Sequence, residues 1–279
     1  MEIRILSAAE YEASKALWEE CFHDGAFFTD FYYRVRSKPG YALGAFEGKE
    51  LISMLHMIPM KMRFGEVISD IAFVAGVCTK PSFRRRGICA SLFNEAFPIM
   101  RERGFTATAL QPFDPKFYER FGYRTFIRRN RAELSYDSPT QPDDRTAISY
   151  DRTAIPLLLN LYNGFFKAYD GASVRDEQYF EGFIEEYSAP DARLVITKDG
   201  CSAGYSEEDA FVCTELFFRQ GADPVSLLPG GFQKYVFPLP PGFPVPEGAS
   251  FCVEDFGMIK PLVPGFDIGD RIKYGFDRY

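Results

Sequence analysis

Three consecutive arginines followed by a glycine, Arg84 to Gly87, are the residues of this sequence best suited to bind a pyrophosphate. They follow a strand-like apolar run, VAGVCT, at residues 74–79. Unpaired N–H groups and the helix dipole attract anions to a helix N-terminus, where glycine permits close approach and arginine adds forked donors. Helical spacing of apolar residues predicts that a helix begins at this turn, through Ile88, Leu92, Phe93 and Ala96.

The usual phosphate motifs do not account for this turn. The sequence contains neither GxxxxGK(S/T) nor GxGxxG after a strand, which leaves P-loop and dinucleotide folds without their signatures. Arg84-x-x-Gly87-x-Cys89 instead resembles the R/Q-x-x-G-x-G/A signature of the GCN5-related N-acetyltransferases (GNAT), with Cys89 in the final small position and Ala90 after it. A second segment, FYERFGY at residues 117–123, resembles the family's short tyrosine-bearing helix and the strand start that follows it.

The RRRGI and YERFGY segments together resemble the enhanced intracellular survival (Eis) branch of this superfamily, whose members carry a second acetyltransferase-like domain. The resemblance implies an α/β (α+β) acetyl-CoA N-acyltransferase fold, with a mixed central sheet flanked by helices and two tandem GNAT-like domains. It also implies acetyl-CoA as the cofactor. In this fold, cofactor and acceptor meet where two neighbouring parallel strands splay apart.

The resemblance further implies which residues hold the cofactor. Val77, Cys78 and Thr79 would offer backbone groups to the pantetheine arm. The alternative role of residues 77–79 is ordinary sheet pairing, and that of the arginines is a solvated basic surface turn. The pyrophosphate turn would comprise Arg84, Arg85, Arg86, Gly87, Ile88, Cys89 and Ala90.

Acetyl transfer to an amine needs a neutral amine, and a proton for the departing thiolate. The resemblance gives the acid role to Tyr118, whose alternative role is packing in an aromatic core. The expected strand glutamate is missing, so the base candidates are Asp70 at the start of the strand, the terminal carboxylate of Tyr279 and a chain of water molecules. Phe27, Phe28, Phe31 and Tyr32 are candidate acceptor contacts or core residues.

Composition excludes several other classes of protein. A formal net charge of −7 disfavours nonspecific nucleic-acid binding, which needs excess Lys and Arg. The six cysteines lack CxxC spacing, so we expect reduced thiols and no metal site. No apolar run is long enough to span a membrane, and the start lacks a signal-peptide layout, so we expect a cytoplasmic protein without a membrane partner.

The order of predicted elements indicates two domains. Residues 1–137 read as strand, two helices, three strands, helix, strand, helix and strand, and form the expected catalytic domain that binds acetyl-CoA. The polar segment 138–145 is the expected linker. Residues 146–279 repeat the pattern without a second basic turn, since only Arg219 follows their strand VCTELFF. We expect this degenerate copy to form part of the acceptor pocket rather than to bind CoA.

The sequence therefore predicts an acetyl-CoA-dependent N-acetyltransferase that acts on a small-molecule or peptide amine by direct transfer in a ternary complex. A non-enzymatic acyl-CoA-binding or sensing protein is the alternative, and an O-acetyltransferase is a third possibility. Glutamates at 181, 185 and 186 are either an attraction for a cationic acceptor or a solvated helix face. The sequence does not identify the acceptor, and it does not decide whether the protein forms a homo-oligomer.

Overall fold

A computed structural model describes residues 1–140 and 151–275 and divides the chain into two units. The first unit comprises residues 1–126 and 257–268, and the second comprises residues 127–256 and 269–275 among those described. The expected boundaries at 137 and 146 differ from this division. Two strands, over residues 124–135 and 250–261, supply residues to both units.

The first unit begins with a strand and two helical segments. β1 spans Glu2–Ile5, α1 spans Tyr11–Phe22 and α2 spans Ala26–Phe31, which continues as a π-helix over Tyr32–Arg36. A capping box precedes α1, since Glu10 accepts a hydrogen bond from the Ser7 amide at 2.9 Å.

The remaining elements of the first unit follow in the predicted order. They are β2 (Ala42–Glu47), β3 (Glu50–Phe64), β4 (Val67–Thr79), α3 (Ile88–Glu102), β5 (Ala107–Leu110), α4 (Pro115–Glu119) and the first residues of β6 (Arg124–Ser135).

The sheet of the first unit is mixed. Its strand order is β1, β2, β3, β4, β5 and then the second half of β12, which spans Ser250–Pro261. β4 and β5 are parallel, and all other pairs are antiparallel. Apolar residues of β2, β3 and β4 pack against Leu92, Phe93 and Ala96 of α3, which places the helix over one face of the sheet.

The second unit repeats this layout. Its helices are α5 (Ile155–Phe166) and α6 (Glu177–Glu186), and its sheet has the strand order β12, β6, β11, β10, β9, β8. β10 and β11 are its parallel pair. The strands are β7 (Ala172–Ser173), β8 (Ala192–Ile196), β9 (Gly200–Glu207), β10 (Ala210–Phe218) and β11 (Lys234–Leu239).

One strand of the second unit, β11, contains Pro238, although prolines are rare in paired strands. Pro238 nevertheless pairs with Arg131 of β6. The predicted linker lies largely outside the described residues. No described helix is long and apolar enough to cross a membrane.

Candidate active site

The end of β4 is open along one edge. The parallel pairing of β4 with β5 stops at Val74, which faces Leu110, while β4 continues to Thr79. On its other edge β4 stays paired with β3, where Cys78 faces Met54 and Thr79 faces Ser53. The backbone groups of residues 75–79 that point away from β3 therefore have no β5 partner. This is the splay between parallel strands that the family resemblance predicted.

A bulge at Gly76 starts the splay. Two residues of β4, Gly76 and Val77, lie opposite the single residue Leu55 of β3. Gly76 has a φ of +59°, a conformation that glycine adopts without strain. Its α-carbon lies against the ring of Trp18, which leaves no room for a side chain. Bulges of this kind re-aim a strand next to a functional site.

Hydroxyl groups hold the last residues of β4 in place. The Ser53 hydroxyl donates to the Cys78 carbonyl at 2.6 Å and lies 2.7 Å from the Thr79 hydroxyl. The backbone amide of Lys80 donates to the Ile52 carbonyl at 2.8 Å. The chain therefore leaves the sheet in a fixed direction, toward the basic turn.

The basic turn has a backbone suited to anion binding. Arg85 and Gly87 have φ values of +64° and +78°, and successive backbone N–H groups of a turn can form an anion-binding concavity. Arg84 Nε donates to the Thr79 carbonyl at 3.0 Å, and Arg86 Nη2 donates to the Ser82 carbonyl at 3.0 Å. These bonds tie the turn to the chain before it.

The start of α3 supplies donors that fit a pyrophosphate. The first bond of the helix runs from the Ser91 amide to the Gly87 carbonyl, so the amides of Ile88, Cys89 and Ala90 have no acceptor within the helix. A side chain added at Gly87 would meet nothing within 4 Å, so the space in front of the turn is open. Three converging amides beside exposed arginines match the charge and size of a phosphate group.

Tyr118 lies in an aromatic cluster on the α3 side of the sheet. The ring is 4% exposed and packs edge-on against Phe93, Phe117 and Tyr123 at centroid distances of 5.0–6.2 Å. Burial raises the pKa of Tyr118 above its ordinary value, and the nearby thiol of Cys89 adds to the shift. The phenol is therefore protonated at neutral pH.

The candidate bases lie elsewhere. Asp70 is exposed and pairs with Lys61 at 2.7 Å near the start of β4, nine residues before Thr79 and therefore roughly 30 Å along the strand. The structure does not bring Asp70 to the open edge. Tyr279 lies outside the described residues. His56 is fully buried, its Nδ1 lies 2.8 Å from the Tyr32 hydroxyl, and burial lowers the pKa of His56 to about 3.

Tyr32 is fully buried and Phe31 is 2% exposed, so both belong to the core. Phe27 is 47% exposed, which leaves it accessible to an acceptor.

The second unit has a corresponding but closed splay. Thr214 forms a bulge in β10, and pairing with β11 stops at Val212. Arg175, which is 4% exposed, fills the region and holds Glu215 through two bonds of 2.8 and 3.1 Å. The remaining cavity is about 30 Å³, enough for a water molecule or two. The guanidinium of Arg219 already donates to Lys198 and Asn160.

Sequence reasoning missed two features of the first unit. Gly76 was visible as a glycine inside a strand pattern, a signal that often marks a bulge. Cys21 carried no signal of its own, because its place beside β4 depends on how α1 packs. Among the described residues, no group of three His, Cys, Asp or Glu side chains is arranged to hold a metal ion.

Comparisons with known proteins agree with this geometry. Residues 2–126 match the model of the acetyltransferase (GNAT) domain family. A search of curated proteins finds no match. Among solved structures, a GCN5-related N-acetyltransferase from Anabaena variabilis has a TM-score of 0.72 at 14% identity, and covers 94% of this chain and 73% of its own.

Two further structures share the fold over similar lengths. Eis1 from Mycobacterium abscessus has a TM-score of 0.68 at 20% identity, with 94% of this chain and 74% of that chain covered. A GCN5-related N-acetyltransferase from Kribbella flavida has a TM-score of 0.67 at 16% identity, with coverages of 93% and 70%. At these identities the likeness establishes the fold over most of this chain.

Proposed function

Residues 2–126 of this chain form a GNAT acetyltransferase domain, and on that premise we propose that the protein is an acetyl-CoA-dependent N-acetyltransferase. Its acceptor is a small-molecule or peptide amine, and transfer is direct, within a ternary complex. One observation carries the proposal. The open edge of β4 is followed, after one 3-10 turn over Pro81–Phe83, by the basic turn, so one path along the chain can hold both the pantetheine arm and the pyrophosphate.

The binding roles follow from the donors that the chain presents. Val77, Cys78 and Thr79 lie on the open edge and pair with the amide groups of the pantetheine arm as a neighbouring strand would. The amides of residues 87–90 hold the pyrophosphate, and the exposed side chains of Arg85 and Arg86 neutralise its charge. Acetyl-CoA supplies the activated acyl group as a thioester.

Tyr118 holds the proton needed by the departing thiolate. A phenol with a raised pKa is a poor donor to a thiolate in water, but a thiolate beside Tyr118 is not in water. The thiol of Cys89 shows the effect, since burial in the same cluster raises its pKa from 9.0 to about 11. A buried thiolate is therefore a stronger base than a thiolate in water, which favours its taking a proton from the still protonated Tyr118.

The described residues supply no assigned base at the open edge. Asp70 is engaged by Lys61, and His56 stays neutral because protonating a fully buried imidazole is unfavourable. We propose that the acceptor amine loses its proton to water before transfer. The absence of an assigned base is also what favours the alternative, a protein that binds acyl-CoA without turnover.

The second unit binds no acyl-CoA in this proposal. Its splay is filled by the Arg175–Glu215 pair, and the remaining cavity is too small for a pantetheine arm. Its turn after β10 lacks the run of arginines, and Arg219 is engaged by neighbouring groups.

Thermal unfolding with and without acetyl-CoA tests the cofactor site. A ligand that binds only the folded state, at a hundredfold excess over Kd, adds about 2.7 kcal/mol and raises the melting temperature by roughly 5 °C or more. The double variant Arg85→Ala/Arg86→Ala should lose most of this rise. Arg101→Ala/Arg124→Ala, which removes the same charge elsewhere, should keep it. No rise in the unmodified protein would contradict the proposal.

An assay of CoA thiol release with a panel of amines then distinguishes an enzyme from a protein that only binds acyl-CoA. Tyr118→Phe should lower kcat by about 10²-fold or more, the usual contribution of a general acid, while the acetyl-CoA-dependent rise in melting temperature persists. If the unmodified protein binds acetyl-CoA but releases no CoA thiol with any amine, the binding and sensing function replaces the enzymatic one.

A further inference from the structure

Phe113 is an aromatic residue that the fold leaves in water beside a buried aromatic cluster. It is 75% exposed, more than any other large apolar residue among those described. Its ring centroid nevertheless lies 5.1 Å from that of Phe117 and 5.5 Å from that of the buried Tyr118, edge-on to the latter. Single exposed apolar residues are common on proteins, so exposure alone assigns no role to Phe113. Its position in the first unit does.

The loop that carries Phe113 leaves the sheet where the open edge of β4 begins. Residues 111–114 join β5 to α4, and Leu110, the last residue of β5, faces Val74 in the last pair between β4 and β5. Three residues of chain span at most about 11 Å, so Phe113 stays within that distance of Leu110. The exposed ring therefore lies near the start of the edge on which the proposed function places the pantetheine arm.

Local interactions restrict this loop. Pro112 and Pro115 limit the backbone on both sides of Phe113. The Asp114 side chain accepts a hydrogen bond from the Lys116 amide at 3.0 Å and caps α4. A constrained backbone therefore presents the ring of Phe113, and a ligand that covers this ring loses little free energy in ordering the loop.

We propose that the ring of Phe113 packs on the thioester end of bound acetyl-CoA and keeps water from the thiolate as it departs. This inference rests on the proposed function, and it assigns a further ligand-contacting residue to the same site. Two observations support the thioester end as the occupant. The Phe113 ring lies against Tyr118, the residue that gives its proton to the sulfur. The arginines that neutralise the charged pyrophosphate belong to a different loop, residues 84–87, which leaves Phe113 to an uncharged part of the ligand.

The step that Phe113 shields is the departure of the thiolate. The amine nitrogen forms a bond to the acetyl carbon and loses one proton to water. The C–S bond breaks, its electron pair stays on sulfur, and the phenolic proton of Tyr118 passes to that sulfur to give the CoA thiol. The phenolate then regains a proton from water. A thiolate shielded from water is a stronger base, so an apolar cover over the sulfur favours proton transfer from Tyr118.

Fluorescence of the full-length variant Phe113→Trp tests the contact without using activity. The introduced tryptophan starts exposed, while Trp18 is 3% exposed, and the unmodified protein supplies the Trp18 signal for subtraction. Acetyl-CoA should shift the added emission to shorter wavelength and reduce its quenching by acrylamide. Adenosine 3′,5′-bisphosphate resembles the nucleotide end of CoA but has no pantetheine arm. At concentrations that raise the melting temperature, it should do neither.

Val67→Trp is the matched control for this experiment. Val67 is 63% exposed in the same unit and is the first residue of β4, seven residues before Val74 and therefore roughly 23 Å along the strand from the start of the open edge. The emission added by Val67→Trp should not respond to acetyl-CoA.

The rate of CoA thiol release tests the shielding itself. Phe113→Ala should lower kcat by about tenfold, because the thiolate is then open to water, while the acetyl-CoA-dependent rise in melting temperature is largely kept. Phe113→Leu preserves an apolar cover and should lose much less. Neither change should alter the melting temperature of the free protein, since the side chain is exposed.

Any of three results would overturn the inference. An emission change with adenosine 3′,5′-bisphosphate as large as that with acetyl-CoA would place the nucleotide end on the Phe113 ring. An unchanged emission, in a protein whose melting temperature acetyl-CoA raises, would leave the cofactor site intact and remove Phe113 from it. Equal kcat values for Phe113→Ala and the unmodified protein would exclude the shielding. If acetyl-CoA does not raise the melting temperature of the unmodified protein, the proposed function fails, and this inference fails with it.

Discussion

Replacement of Gly76 by alanine tests how β4 is bent at the open edge. Two costs act together at this position. A φ of +59° disfavours a residue with a β-carbon by about 1 to 2 kcal/mol. The added β-carbon would also lie 2.5 Å from the Trp18 ring, and overpacking of this kind costs about 1 to 3 kcal/mol. We therefore expect Gly76→Ala to destabilise the first unit by about 2 to 5 kcal/mol.

Gly65 provides a matched control for the backbone term. It has the same φ of +59°, but an added β-carbon would meet nothing within 4 Å. Gly65→Ala should therefore cost only about 1 to 2 kcal/mol. The difference between the two variants measures the contact of Gly76 with Trp18.

Urea unfolding followed by tryptophan fluorescence is the assay for both variants. Trp18 is the single tryptophan of the chain and belongs to the first unit, so its emission reports the unit under test. With a slope of about 1 to 3 kcal/mol per molar urea, Gly76→Ala should shift the midpoint by roughly 1 M or more. Equal shifts for Gly76→Ala and Gly65→Ala would refute the packing argument.

Three further predictions concern other parts of the molecule. Burial lowers the pKa of His56 to about 3, so between about pH 6.5 and pH 3 the unfolded chain binds more protons than the folded one. The free energy of unfolding should therefore decrease as the pH is lowered through that window. His56→Phe should flatten this dependence in urea titrations at several pH values. Arg175→Met should cost about 3 to 5 kcal/mol by removing a buried guanidinium from its ion pair with the part-buried Glu215, and Arg175→Met/Glu215→Leu should recover most of the loss in thermal unfolding. Because the acceptor amine must reach the site neutral, kcat/KM from thiol release should rise about tenfold per pH unit up to the pKa of that amine, and a plateau near pH 5 would instead indicate a carboxylate base.

Local signals were sufficient for much of the first unit. The helix after Gly87 and the order of strands and helices in the first unit depend on neighbouring residues, and the sequence predicted both. The Tyr118 helix is likewise encoded locally, since Asp114 caps it by accepting from the Lys116 amide at 3.0 Å.

Features that depend on distant residues could not be predicted. The fit of Trp18 against Gly76, the contact of Cys21 with the Thr79 carbonyl and the closure of the second splay by Arg175 each join segments far apart in sequence. A single chain without an alignment carries no periodic or compositional sign of such contacts.

The pairing of β5 with β12 has a consequence for how the protein is made. Residues 107–110 acquire their antiparallel neighbour only when residues 258–261 arrive, about 150 residues later, which takes on the order of 10 s during synthesis. Until then the nascent first unit carries an unpaired apolar strand edge, the kind of surface that promotes aggregation. A fragment ending at residue 137 would keep that edge permanently, although it contains every residue proposed here to bind acetyl-CoA.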